Sequence, residues 1–127
     1  MAVDGSPPNP VGTRDPLEVF DESDAMDRLG DEDLLLEVLN IFLDDAPQTF
    51  RSLQTAVAAK DWGTAARHAH SLKGSAANIS APGLRRAAAE CEDEAKSGAP
   101  GDIAKRVDLL ESELKQLIVL LEKRARN

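Results

Sequence analysis

The chain has 127 residues, the size of one domain able to bury a single core without staples. Its hydrophobic content is 42%, yet it holds only three Phe, one Trp and no Tyr, so the core falls to Leu, Ala, Val and Ile, the filling of a helical bundle rather than a sheet. A formal charge of −8 repels phosphate backbones and anionic lipid on average, which argues against nucleic acid or a membrane as partner, and the lone Cys91 can form neither an internal disulfide nor a CxxC motif.

Residues 1–14 contain three of the seven prolines together with Gly, Ser and Asn, and almost nothing to bury, so a disordered tail is expected there. No apolar run approaches the roughly 20 residues that span a bilayer, and the N-terminus lacks the basic and apolar regions of a signal peptide. A soluble, cytoplasmic protein is expected. From Asp15 the pattern changes: LEVFDESDAMDRLG carries Leu17, Phe20, Met26 and Leu29, which predicts a short helix or helical turn closed by Gly30 as its C-cap.

The acids Asp31, Glu32 and Asp33 suit the N-terminus of a long helix. Leu35, Val38, Leu39, Phe42, Ala46, Phe50, Leu53 and Val57 then recur at steps of three and four as one apolar stripe. Pro47 inside it removes a backbone donor and crowds the preceding turn, so a kink or a break is predicted. Asp61 is a good N-cap for the next helix, DWGTAARHAHSLKGSAANI, with Trp62, Ala65, Ala69, Leu72, Ala76 and Ile79 inward. Asn78 is expected to bond the helix end, and SAPG breaks the helix.

Pro82 can open a further helix, GLRRAAAECEDEAK, in which the acids of CEDEAK read as a solvated face and Cys91 as a small buried hydrophobe. A last helix from about Asp102 to Arg124 carries Ile103, Val107, Leu110, Leu114, Leu117 and Leu121, with Lys123, Arg124 and Arg126 suiting its C-terminal dipole. The fold expected is all-α, an antiparallel up-down four-helix bundle with a short extra N-terminal helix as a lid. There is no internal repeat.

The segment RHAHSLKGSAAN, residues 67–78, holds both histidines of the chain. At about 100° per residue, with Ala69 at the centre of the buried stripe, His70 and His68 lie one step to either side. They cannot share a metal, because residues two apart on a helix do not face each other and the i, i+4 pair of a helical zinc site is absent. His68 reads as a partly buried polar residue. Around His70, steps of three, four and seven reach Gly63, Ala66, Arg67, Lys73, Gly74 and Ala77. Gly63, Ala66, Gly74 and Ala77 leave a low surface on which another protein could come close to the imidazole. Gly74 in mid-helix costs about 0.5 to 1 kcal/mol against Ala, a loss that needs a reason.

Arg67 and Lys73 are cations within one turn of that ring, placed to hold an anion attached to it. A neutral imidazole is a nucleophile, and an unperturbed pKa of about 6.5 leaves a usable neutral fraction at cytoplasmic pH. It can take up a phosphoryl group, with the cations offsetting charge on the transferring oxygens. The chain has no GxxxxGK[ST] and no GxGxxG loop, so donor and acceptor must be other proteins. Leu36 and Leu43 lie off the main stripe of their helix and read as a possible apolar docking rim.

The run AHSLKGSAANISA resembles the histidine phosphotransfer (HPt) domains of two-component phosphorelays, whose motif is approximately AHxLKGxxxxxGA on the second long helix of a four-helix bundle. His70, Lys73 and Gly74 match residue by residue, Ser75 matches a common choice, and Arg67 is frequent in the family. The resemblance extends over about residues 22–123, where LGDEDLLLEVLNIFLDDAPQTF is similar to the preceding helix, internal proline included. It implies that His70 accepts a phosphoryl group on Nε2 from a receiver-domain aspartate and passes it to another receiver. It also implies that Lys73 assists electrostatically and Gly74 permits close docking.

The partners implied are response-regulator receiver domains and a hybrid sensor histidine kinase. The chain would be a monomeric phosphocarrier without kinase activity or cofactor, the magnesium belonging to the receiver. Ser80 departs from the pattern, which usually has Gly at that helix end. The rival expectations are a binding-only helical adaptor, against which the intact His70, Lys73 and Gly74 argue, and a metal-binding bundle, which lacks the inward Glu-x-x-His pairs.

Overall fold

The computed structural model describes residues 15–98 and 100–126. The tail expected at residues 1–14 lies outside the described residues. Six helices follow in order: α1 Pro16–Val19, α2 Glu22–Leu29, α3 Glu32–Ala58, α4 Trp62–Asn78, α5 Pro82–Lys96 and α6 Ile103–Ala125. No strand occurs among the described residues.

Aspartates set most of the helix starts. The side chains of Asp15, Asp21, Asp31 and Asp61 each accept a hydrogen bond from a backbone N–H in the first turn of the helix that follows. Asp21 and its extended neighbour Phe20 split the predicted N-terminal helix in two. Gly30 ends α2 at φ 75°, the left-handed C-cap that glycine adopts without penalty. Pro82 opens α5, where its missing N–H leaves no orphan donor.

Pro47 does not split the long helix, which runs unbroken through it. The carbonyl of Leu43 loses its donor there, but Phe42, Leu43, Ala46, Phe50 and Leu53 are all buried, and that packing holds both halves in one helix. The apolar stripe is as expected apart from Val38 and Val57, which are half-buried, and Ala56 takes the inner position beside Val57.

Helices α3 and α5 each pack against both α4 and α6. With short connections, this makes an antiparallel four-helix bundle in which α4 and α6 lie on one diagonal. The buried leucines Leu35, Leu39, Leu53, Leu72, Leu110 and Leu117 form its centre. Helix α1 rests on α5 and α6, and α2 on α3. Val19 and Phe20 are buried, whereas Leu17 is exposed.

Ion pairs fasten these short helices, Arg86 of α5 to Glu18 and Arg124 of α6 to Glu22 at 2.8 Å, and Arg124 also reaches Glu32 at the start of α3 at 2.9 Å. Arg126 pairs with Asp44 at 2.9 Å, so Arg124 and Arg126 spend their charge on neighbouring helices, beyond any effect on the α6 dipole. The guanidinium of Arg28 in α2 donates to the last carbonyls of α4, Ala77 at 3.1 Å and Asn78 at 3.0 Å, and to the Ser80 hydroxyl. That hydroxyl donates in turn to Asp24 at 2.6 Å.

Candidate functional site

Helix α4 buries Ala65, Ala69, Leu72 and Ala76 against the bundle. That stripe fixes the rotation of the helix, and His70, one step from Ala69, turns outward with 65% of its side chain exposed. His68 is half-buried on the other side, as expected. Gly63, Arg67, Gly74 and Ala77 are exposed with His70, while Ala66 is buried and forms a floor beneath them.

The decisive contact comes from α5. Glu92 is only 5% exposed, and its Oε2 lies 3.1 Å from His70 Nδ1. Lys73 Nζ stands 2.8 Å from Oε1, and Lys96 Nζ donates to Oε2 at 3.0 Å. The Lys73 hydrogen bond, with help from Lys96 and against the effect of burial, holds the Glu92 carboxyl down at about 2. An ionised carboxylate only accepts, so the neutral imidazole must carry its proton on Nδ1. The lone pair then sits on Nε2, on the outward side of the ring.

Glu92 corrects the reading of CEDEAK as a solvated face. The signal was present in the periodicity: position 92 falls four after Ala88 and three before Ala95, both buried, so an acid stands on the apolar stripe of α5. Such a group must find partners, and here it finds one imidazole and two ammonium groups. Cys91 beside it is buried as expected, and burial raises its thiol to about 11.

Beside His70, between α4 and α5, lies an open hollow of about 800 Å³ lined by Trp62, Gly63, Arg67, Ala95 and Lys96 among others. A Cβ added at Gly63 or Gly74 would meet nothing within 4 Å. Packing within the chain therefore gives neither position a reason to be glycine.

The docking rim expected at Leu36 and Leu43 loses Leu43. Leu43 is 7% exposed and belongs to the core, because α3 is flanked by α4 and α6 and buries a wider arc than one stripe. Leu36 is half-buried. The exposed aliphatics of α3 are Leu34 and Ile41 instead, and Ile41 lines a small recess with Ser75 and Asn78. Asn78 contributes its backbone carbonyl to the helix end, as the acceptor of Arg28.

Ser80 sits at φ 61°, the left-handed region that favours glycine. The departure from the motif thus falls on a position whose backbone asks for Gly, and its hydroxyl is held by Asp24 and Arg28. Among the described residues no group of three or more His, Cys, Asp or Glu is arranged to hold a metal. Among them, too, no helix is long and apolar enough to cross a membrane.

Fold and site together define a helical bundle that presents one oriented imidazole to solvent. The family model of the Hpt domain matches residues 37–120, and the chain belongs to that family. The HPT domain of a Hpt sensor hybrid histidine kinase from Shewanella is similar at 25% identity and a TM-score of 0.74, over 84% of this chain and 93% of that one. Histidine-containing phosphotransfer protein B from Pseudomonas aeruginosa shares the fold at 23% identity and a TM-score of 0.75, over 93% of this chain and 97% of that one. No curated protein matches the chain. Its function is phosphorelay histidine phosphotransfer, in a family of phosphocarriers that interact with receiver domains and histidine kinases.

Proposed function

We propose that His70 is the residue that carries the phosphoryl group, taking it from a receiver's phospho-aspartate and passing it to a second receiver. One observation carries this reading: the imidazole is mostly exposed while its Nδ1 is engaged by Glu92, which leaves Nε2 free and outward. Nε2 attacks phosphorus, and the N–P bond forms as the P–O bond to the donor aspartate breaks, its electron pair leaving with that carboxylate. The ring keeps its Nδ1 proton, becomes cationic and is balanced by Glu92. In the second half, an oxygen of the acceptor aspartate attacks phosphorus and the N–P electron pair returns to Nε2.

Lys73 and Arg67 offset charge on the phosphoryl oxygens, since both are cations within one turn of His70. Gly63, Gly74 and Ala77 keep the surface low enough for a receiver to bring its aspartate to the ring, over the floor made by Ala66. The chain acts as a cytoplasmic monomer and needs no cofactor of its own, the magnesium being the receiver's. One donor is the receiver of a hybrid sensor histidine kinase. With no ATP-binding loop in the sequence, it is a carrier rather than a kinase.

The experiment is phosphoryl transfer from a panel of phosphorylated receiver domains to the wild type and to His70→Gln. Acid-labile, base-stable label on the wild type alone is expected. Label that persists in His70→Gln would move the site elsewhere, and no label from any receiver would leave a binding-only bundle.

A further inference from the structure

Lys73 has two demands on it. In the unphosphorylated chain its ammonium stands on Glu92 Oε1 at 2.8 Å. The nitrogen that would take the phosphoryl group is Nε2, which points away from Glu92 because Nδ1 faces it. Pairing with phosphoryl oxygens on the far side of the ring competes with the pairing to Glu92. If Lys73 turns to the phosphoryl oxygens, it must leave a carboxylate that is 5% exposed, and a buried carboxylate stripped of a partner is strongly disfavoured.

A second cation already stands on that carboxylate. Lys96 Nζ lies 3.0 Å from Oε2, one helical turn along α5 from Glu92, so the pair is internal to α5 and does not depend on events on α4. Its side chain is 63% exposed and reaches over the hollow beside His70, where it can stay paired without being buried itself. Arg67 lines the same hollow, while the ammonium groups that meet Glu92 are those of Lys73 and Lys96.

We propose that Lys96 is a positioning residue of the phosphotransfer site: it remains on Glu92 when the phosphoryl group arrives and thereby frees Lys73 to move from that carboxylate to the phosphoryl oxygens. The inference rests on His70 being the phosphorylated residue. It gives the two lysines different tasks, Lys73 as the cation that moves and Lys96 as the cation that stays. Neither the histidine motif nor the apolar periodicity marks Lys96, because its partner Glu92 comes from outside the motif.

A small phosphodonor keeps partner docking out of the experiment. Potassium phosphoramidate can phosphorylate an exposed imidazole directly: the Nε2–P bond forms, the P–N bond breaks, and its electron pair leaves on ammonia. Initial rates of His70 labelling are compared for wild type, Lys96→Met, Lys96→Arg and Lys73→Met. The ring ¹⁵N shifts of His70 are recorded for each.

Lys96→Met is expected to lower the rate roughly fivefold and Lys73→Met at least as much, with Lys96→Arg near wild type. The His70 ring should keep its Nδ1–H tautomer in Lys96→Met, since Lys73 then stays on Glu92. An unchanged rate in Lys96→Met overturns the proposal, and so does a change of tautomer in that variant. Absence of label on wild-type His70 would instead overturn the reading on which the proposal rests.

Discussion

His70 and Glu92, on adjacent antiparallel helices, meet at 3.1 Å between Nδ1 and Oε2, and this one contact decides which ring nitrogen is available for chemistry. Glu92 is buried and ionised, whereas His70 is mostly exposed. The site therefore has a fixed inner edge and an open outer edge. A second helix sets the orientation of a residue carried by the first.

Removing that orientation should weaken transfer without unfolding the bundle. In Glu92→Gln the amide oxygen can still accept from Nδ1–H, but the charge that balances an imidazolium and pairs the two lysines is gone. In Glu92→Ala both are lost. Transfer rates should fall in the order wild type, Glu92→Gln, Glu92→Ala, with the alanine variant down by about 10- to 100-fold, the worth of a charge-assisted hydrogen bond. Long-range proton–nitrogen spectra should report a single Nδ1–H tautomer in the wild type and a mixture in Glu92→Ala. A single tautomer in the alanine variant would refute the assignment.

The same carboxylate gives stability a pH dependence of known sign. Its folded value, about 2, lies below the ordinary 4.5 because Lys73 and Lys96 favour the charged form. A depressed carboxylate contributes stability that is fully present above its unfolded value and is lost as pH falls through its folded one. Urea denaturation of wild type and Glu92→Gln should therefore give a difference that holds from pH 7 to about 5 and shrinks between about pH 4.5 and 2. A difference that stayed constant across that interval would mean that Glu92 is not paired as described.

The bundle was readable because its apolar positions recur with helical period: the buried set of α6, Ile103, Val107, Leu110, Leu114, Leu117 and Leu121, is the predicted one. The orientation of His70 was readable for the same reason, since Ala69 fixes it. Contacts between helices were not. Glu92 reaches His70 across 22 positions of sequence, and periodicity on one helix says nothing of what the next helix brings to it. Leu43 failed as a rim residue on similar grounds, because how wide an arc α3 buries depends on having α4 on one side and α6 on the other.

Gly74 separates folding from docking. A Cβ there meets nothing within 4 Å, so Gly74→Ala should stabilise the helix by about 0.5 to 1 kcal/mol, seen as a rise in Tm. Gly74→Gln should also be at least as stable as the wild type, yet slow transfer from a receiver, because its side chain stands where the partner must approach. Stability and transfer moving in opposite directions is the expected pattern. Wild-type transfer by the glutamine variant would remove the argument from close approach.

Ser80 sets two effects against each other in one side chain. Its backbone sits in the left-handed region at φ 61°, which disfavours any residue with a Cβ by about 1 to 2 kcal/mol relative to Gly. Its hydroxyl, however, accepts from Arg28 and donates to Asp24, fastening α2 to the end of α4. Ser80→Gly relieves the strain and loses those bonds, so its stability should fall within about 1 kcal/mol of the wild type. Ser80→Ala loses the bonds and keeps the strain, and should be the less stable of the two variants by about 1 to 2 kcal/mol in urea denaturation. Equal stability of the two variants would mean that the left-handed backbone carries no penalty at this position, and that the glycine usual in the motif serves something other than the turn.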